Sequence, residues 1–201
     1  MSKGHARVVK VPDMQGFAET LAELQPNEAI ALGVFADGAT EAAIASRKAV
    51  GEGERTRTKG GDKGFAFIEN QPALLLLDID MDHPIPGFDG TAEGVWDALT
   101  RILPGLKGKT FLARASTSSD IWYYDRRLDN PQTTGFHFYV GVTDGSEIPA
   151  ILKRIDEHLW LSHKGSIKIS KSGSRLFRTP VDAAVRALAP ARYGVLQNDP
   201  K

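Results

Sequence analysis

The chain of 201 residues carries 25 basic and 25 acidic side chains, 41% hydrophobic residues and no cysteine. That length suits one substantial core or a core with a small annex, and the balanced charge makes any polyanion partner depend on local clusters of lysine and arginine. Disulfides and thiolate metal sites are excluded, no apolar run approaches the roughly 20 residues of a membrane span, and Met1 to His5 lack the apolar segment of a signal peptide, so a cytoplasmic protein with no membrane partner is expected.

Phe17, Leu21 and Leu24 fall at helical spacing and predict a helix over 13–25, ended by Pro26. Ala29 to Phe35 reads as a short strand closed by Asp37-Gly38. The alanine-rich stretch 40–50 predicts a second helix ahead of Gly51 and Gly53. Arg55, Arg57, Lys59 and Lys63 then form a positive hydrophilic segment leading into a glycine-rich loop. Phe65 to Ile68 and Ala73 to Asp80 read as strands around a turn at 70–72. Thr91 predicts the N-cap of a helix with Val95, Leu99, Ile102 and Leu103 on one side. Thr110 to Ala115 is a strand, the serine cluster 116–119 a loop, and 125–134 a polar excursion. Phe136 to Val142 alternates as a strand ended by Asp144-Gly145. Ser146 starts a helix that buries Ile151, Ile155, Leu159 and Trp160. Ser166 to Ser170 is a strand that returns through Leu176 and Phe177. Thr179 and Pro180 then predict the N-cap and first residue of a last helix, with Asp182 just inside it.

From Ala73 to Phe177 the order is therefore strand, helix, strand, strand, helix, strand. That is the split βαβ pattern of an RRM-like or polymerase-palm sheet in an α+β protein. Residues 1–70 supply an N-terminal αβ lobe and 71–201 the palm lobe. No flexible linker separates them, so one unit of two lobes is expected.

The chemistry concentrates where Leu74 to Leu77 run into Asp78, Ile79 and Asp80. Four leucines in a row read as a strand buried on both faces, and alternation puts Asp78 and Asp80 on the same face. Two adjacent carboxylates repel, and burying them unpaired costs several kcal/mol each. A divalent metal accounts for them better than a structural pair satisfied by lysine, arginine or backbone amides. His137 shares its strand face with Tyr139, while Phe136, Phe138 and Val140 take the other, core face. In a palm-like sheet the first and third strands are neighbours, which brings both aspartates and His137 to one cleft. Between Leu159 and Val181 there is no acidic residue, yet Lys164, Lys168, Lys171, Arg175 and Arg178 all occur. Lys171 and Arg178 lie nearest Asp182 and are the expected phosphate contacts. Ser116 and Ser118 can add hydroxyl donors for a nucleotide, and Arg55, Arg57 and Lys59 can track a template backbone.

Each feature also has a plainer reading. A histidine between phenylalanines is commonly a half-buried strand residue. Asp182 near a helix start is worth up to about 1 kcal/mol as a dipole partner. The stretch 164–178 can be a solvated face, the serine cluster plain loop, and Trp122, Tyr123 and Tyr124 can pack rather than stack on bases.

Taken in order, the aspartate pair after a leucine strand, the run Gly135-Phe136-His137-Phe138-Tyr139, and Arg178-Thr179-Pro180-Val181-Asp182 resemble the three motifs of archaeo-eukaryotic primases. Arg57-Thr58-Lys59 and Ile169-Ser170-Lys171-Ser172-Gly173 resemble the primase-polymerases of plasmids, phages and integrative elements within that superfamily. The resemblance spans about residues 55–190 and implies a primase core with an RRM-like palm. It implies that Asp78, Asp80 and Asp182 hold two Mg²⁺ or Mn²⁺ ions, with His137 on the phosphates of the incoming nucleotide. Two such cations about 3.5–4 Å apart activate a 3′-hydroxyl and stabilise the pyrophosphate leaving group. Two departures stand out. Gly135 occupies a position where the family often has serine, leaving Thr134 or a backbone amide to substitute, and Asp82 extends the acidic series as an alternative ligand.

The expected function is thus template-dependent nucleotidyl transfer, as a DNA primase or DNA polymerase replicating a plasmid, phage or mobile element. Its partners would be a single-stranded DNA template, NTPs or dNTPs, and a helicase or accessory helical primase domain, with the chain either a fragment of a longer replication protein or a small polymerase served by a partner. Two alternatives remain: a replication-initiator nuclease of relaxase type, for which Tyr139 stands where a second metal-binding histidine is needed, and a non-catalytic module that stacks single-stranded nucleic acid on aromatics.

Overall fold

The structure is a computed structural model that describes residues 3–46, 49–56, 64–79, 91–116, 122–127, 135–182 and 195–197. In chain order the elements are β1 (Lys3–Arg7), α1 (Met14–Ala22), β2 (Val34–Phe35), β3 (Glu41–Ala45), β4 (Arg55–Thr56), β5 (Phe65–Ala66) and β6 (Ala73–Ile79). They continue with α2 (Ala92–Ile102), β7 (Phe111–Ala115), β8 (Trp122–Tyr123), β9 (Arg126–Arg127), β10 (Phe136–Val142), α3 (Ile148–Leu161), β11 (Ser166–Ile169), β12 (Arg175–Arg178) and β13 (Val195–Gln197). Helices and small, mostly antiparallel sheets make this an α+β protein. Among the described residues no helix is long and apolar enough to cross a membrane. The chain divides into two compact units, one drawn from Met1–Leu74, Gly141–Pro149 and Ala187–Lys201, the other from Leu75–Val140 and Ala150–Arg186.

The first unit is built on β1. Two strands flank it: β3 antiparallel, with Gly4 opposite Ile44 and Ala6 opposite Ala42, and β13 antiparallel, with Ala6 opposite Leu196. β4 joins β3 in parallel, giving the order β13-β1-β3-β4. Ala6, Phe35, Ile44 and Phe65 form the core cluster, with the Phe35 and Phe65 rings 5.0 Å apart on the paired strands β2 and β5. Asp13 caps α1 by accepting the Gly16 N–H at 2.8 Å.

Two expectations are corrected here. The stretch 40–50 is no helix: Glu41–Ala45 is β3. Alanine favours a helix by less than about 1 kcal/mol per residue over ordinary residues, and a segment this short between glycines does not hold a helix alone. Pairing with all five residues of β1 and burial of Ile44 decide the matter. The strand expected over 29–35 shrinks to Val34–Phe35.

The second unit contains the sheet β6-β10-β7. Phe136, Phe138 and Val140 are buried on one face of β10. Trp96 of α2 stacks on Phe111 at 4.2 Å and lies 5.5 Å from Phe138, so α2 covers this aromatic face. The helix starts as expected, with the Thr91 hydroxyl accepting the Gly94 N–H at 3.0 Å. α3 buries Ile148, Leu152, Ile155 and Leu159 at helical spacing. Leu152 thus replaces Ile151 in the expected stripe, and the first turn is a 3₁₀ segment over Gly145–Glu147 capped by Asp144. β11 and β12 form a hairpin with Ser166 opposite Arg178 and Ile169 opposite Arg175.

The start expected for the last helix, at Thr179, is also corrected; residues 183–194 lie outside the described residues. Val181 pairs antiparallel with Ile79 in an isolated bridge, so residues 179–182 do not form the first turn of a helix. Thr-Pro is ambiguous in sequence, because the residue before proline is pushed to extended geometry as readily as it caps a helix. Burial of Val181 against a core strand resolves it.

Candidate active site

The carbonyls of β6 alternate between its two edges. That of Ile79 faces β10, where a Cβ on Gly135 would come within 2.9 Å of it. That of Asp78 accepts the Asp182 N–H at 2.8 Å from the other edge. The bridge between Ile79 and Val181 fixes the register, so Asp78 lies directly opposite Asp182. Opposed residues of an antiparallel pair share a face, with Cβ atoms about 4.5–5.5 Å apart. Residues 104 positions apart in sequence therefore present carboxylates side by side. Both are partly buried, with side chains 30% and 27% exposed.

Such a pair is costly. At an effective dielectric near 20, two like charges about 5 Å apart repel by about 3 kcal/mol. Among the described residues, a basic group stands against each. Nε2 of His137 is 3.3 Å from Oδ1 of Asp78, and Nη1 of Arg178 is 3.6 Å from Oδ1 of Asp182. The Tyr139 ring, next on the same face of β10, meets the imidazole edge-on at 6.4 Å. The segment carrying Asp182 is anchored by Thr179, which is 4% exposed. Its hydroxyl is 2.8 Å from both Oδ1 of Asp156 on α3 and the carbonyl of Val181.

Comparison with protein-family models, curated proteins and solved structures finds no match to this chain.

Of the residues singled out in the sequence, the structure brings together Asp78, Asp182, His137 and Arg178. Ser116 is next to them in the sheet: it follows the pair Ala115–Phe136, and its N–H donates to the Gly135 carbonyl at 2.8 Å. Lys171 lies elsewhere, exposed at the tip of the β11–β12 hairpin, while Arg178 is at its foot. Four steps of strand rise put roughly 13 Å between the two ends. Arg55 is in the first unit, where its guanidinium pairs with Asp37 and lies 4.9 Å over the Phe35 ring. Its positive charge is engaged in packing there. Asp80, Asp82, Ser118, Thr134, Arg57, Lys59 and Lys63 lie outside the described residues.

Among the described residues no group of three histidine, aspartate or glutamate side chains is arranged to hold a metal ion. The donors that are placed nonetheless fit a hard divalent cation, which takes oxygen ligands from a few carboxylates and keeps room for substrate phosphates.

One residue escaped the reading of the sequence. Arg114 on β7 is directly opposite His137, hence on the same face, and is exposed. The alternation Leu112, Arg114, Ser116 against Phe111, Ala113, Ala115 carried the signal. Recognising it required the β10–β7 register, which no local pattern supplies.

Proposed function

We propose that this chain is the catalytic core of a template-dependent primase-polymerase of the archaeo-eukaryotic primase type. The observation that carries the reading is the in-register opposition of Asp78 and Asp182, flanked by His137 and Arg178. The strand order supports it. Residue 181, β6, β10 and β7 follow one another across the sheet, an order like the fourth-first-third-second order of an RRM-like palm, except that the expected fourth strand, 166–177, forms a separate hairpin and its place is taken by a single bridge.

In this reading Asp78, Asp80 and Asp182 hold two Mg²⁺ or Mn²⁺ ions, which when bound lower the pKa of the attacking 3′-hydroxyl and neutralise the developing charge on the leaving pyrophosphate. The reaction joins the 3′-oxygen to the α-phosphorus, breaks the bond from that phosphorus to pyrophosphate, and releases the hydroxyl proton. His137, held edge-on by Tyr139, orients the phosphates. Arg178 and Arg114, cations on either side of the aspartates and His137, bind the triphosphate by charge-assisted hydrogen bonds. Ser116 donates from the end of β7, whereas Lys171, at the hairpin tip, takes no part in holding the triphosphate. Template tracking falls to Arg57 and Lys59, since Arg55 is committed to Asp37 and Phe35.

The test is primer synthesis and extension on a single-stranded DNA template, with NTPs and dNTPs supplied separately and Mg²⁺ or Mn²⁺ present. Incorporation lost in both Asp78→Asn and Asp182→Asn, with folding intact, supports the reading. Full activity in either variant refutes it. A binding module without catalysis would give neither incorporation nor coupled binding of Mn²⁺ and nucleotide in calorimetry.

A further inference from the structure

The β11–β12 hairpin has two faces. Ile167 opposite Phe177 and Ile169 opposite Arg175 form one; Ser166 opposite Arg178 and Lys168 opposite Leu176 form the other. The second face begins at the aspartate site through Arg178. The first carries an apolar surface left in solvent, with Ile167 54%, Ile169 61% and Phe177 63% exposed. Short exposed strands normally avoid this, because it invites association.

Three observations say what covers it. The whole segment from Leu159 to Val181 has no acidic residue and carries Lys164, Lys168, Lys171, Arg175 and Arg178, so the surface complements a polyanion and repels a basic partner. The apolar groups include an aromatic ring that is held in place: Phe177 meets Trp160 edge-on at 6.0 Å. Trp160 in turn lies flat over Gly165, where any Cβ would strike its ring at 2.2 Å. The tip is also fixed. Ser170 Oγ accepts the Ser174 N–H at 2.9 Å, the Gly173 N–H donates to the Ser170 carbonyl at 2.9 Å, and Lys171 projects from that turn. A preset ring with a cation beside it and another beyond it is the arrangement that stacks bases and tracks phosphates of a single strand.

We infer that the Ile167–Ile169–Phe177–Arg175 face of the hairpin binds single-stranded DNA, a base stacking on Phe177 and phosphates meeting Arg175 and Lys171. It rests on the polymerase reading in one respect only, that the strand held there is the one being copied or extended at the aspartate site.

The experiment is fluorescence anisotropy of the full chain with a labelled oligo-dT strand and with an abasic strand of equal length, in EDTA without nucleotide. The wild type should favour the base-bearing strand. Phe177→Ala should weaken oligo-dT about tenfold, within the range of base–aromatic stacking, and Phe177→Trp should restore it. Arg175→Ala should lower the salt slope by about 1. Should Phe177→Ala fail to fold, Ile169→Glu on the exposed strand takes its place and should abolish binding. Unchanged oligo-dT affinity in Phe177→Ala, or equal affinity for the abasic strand, overturns the inference. So does a wild-type dimer in sedimentation that Phe177→Ala dissociates, because the face would then be covered by a second copy. If strand binding follows these variants while Mn²⁺ and nucleotide fail to bind the wild type, the hairpin site stands and the polymerase reading falls.

Discussion

Adding one methyl group at residue 135 tests the geometry of the site. In Gly135→Ala the new Cβ would lie 2.9 Å from the Ile79 carbonyl oxygen and 3.4 Å from Cβ and Oγ of Ser116. The first approach decides the sign. Ile79 is 1% exposed and its strand is hydrogen-bonded on both edges, so that oxygen cannot swing away as a side chain would. Overpacking of this kind costs about 1–3 kcal/mol. Against it, alanine restricts the unfolded chain and returns about 0.4–1 kcal/mol. The net expectation is a loss of about 1–2 kcal/mol, read as a lower urea midpoint at unchanged m. Serine, with its extra hydroxyl, should cost at least as much. A shift of β10 by a few tenths of an ångström also moves His137 relative to Asp78, a contact of 3.3 Å, so nucleotide incorporation should fall more than stability alone explains. A Gly135→Ala protein as stable as the wild type, with full incorporation, would show that β6 and β10 do not approach this closely.

The remaining expectations are smaller in scope. Asp78→Asn should leave stability unchanged within about 1 kcal/mol or raise it, because relief of repulsion from Asp182 outweighs a partly exposed pairing with His137; thermal melting checks this beside the loss of incorporation. Thr179→Val keeps the shape but removes a hydroxyl that bridges Asp156 and the Val181 carbonyl, so denaturation should show a loss of about 1–3 kcal/mol. The Ser146 hydroxyl and N–H hold the Asp144 carboxyl below its ordinary 3.8. A depressed folded-state value means its stabilising contribution is complete above 3.8 and disappears as pH falls through the folded value; a carboxyl titration by NMR with its midpoint at or above 3.8 would contradict the capping geometry.

The sequence made the periodic elements legible and left the pairings hidden. The leucine strand, the Thr91 cap, the alternation of Phe136 to Val140 and the helix after Asp144 all followed from local pattern, because each element's own residues bury its own face. The failures occurred where a distant partner outvoted local preference. Glu41–Ala45 is a strand because β1 pairs with it, and no helix starts at Thr179 because Val181 pairs with Ile79. The same limit applies to the site. Asp78 and His137 announced themselves through the strands that carry them, whereas the identity of Arg114 as a neighbour of His137 depends on cross-strand register. Lys171 and Arg178 are close in sequence yet lie at opposite ends of a hairpin, so proximity along the chain misled where the turn intervened.

The two readings of the aspartates differ in the sign of one energy. If Asp78, Asp182, His137 and Arg178 were a structural ion cluster, each charge would be there to stabilise the fold, and removing any one would leave its partners uncompensated and cost stability. The geometry argues otherwise. The carboxylates oppose each other in register, and the basic contacts at 3.3 and 3.6 Å are at the long end for ion pairs. A cluster evolved for stability would place one carboxylate against one arginine and stop. Holding a second carboxylate beside the first, on a segment anchored by a buried threonine, is expected where the paired carboxylates themselves serve a function, as natural sequences break local rules at functional sites and compensate elsewhere. The charge-neutralising variants Asp78→Asn and Asp182→Asn should therefore stay within about 1 kcal/mol of the wild type or exceed it; a clear loss of stability in both would assign these four side chains to the fold alone.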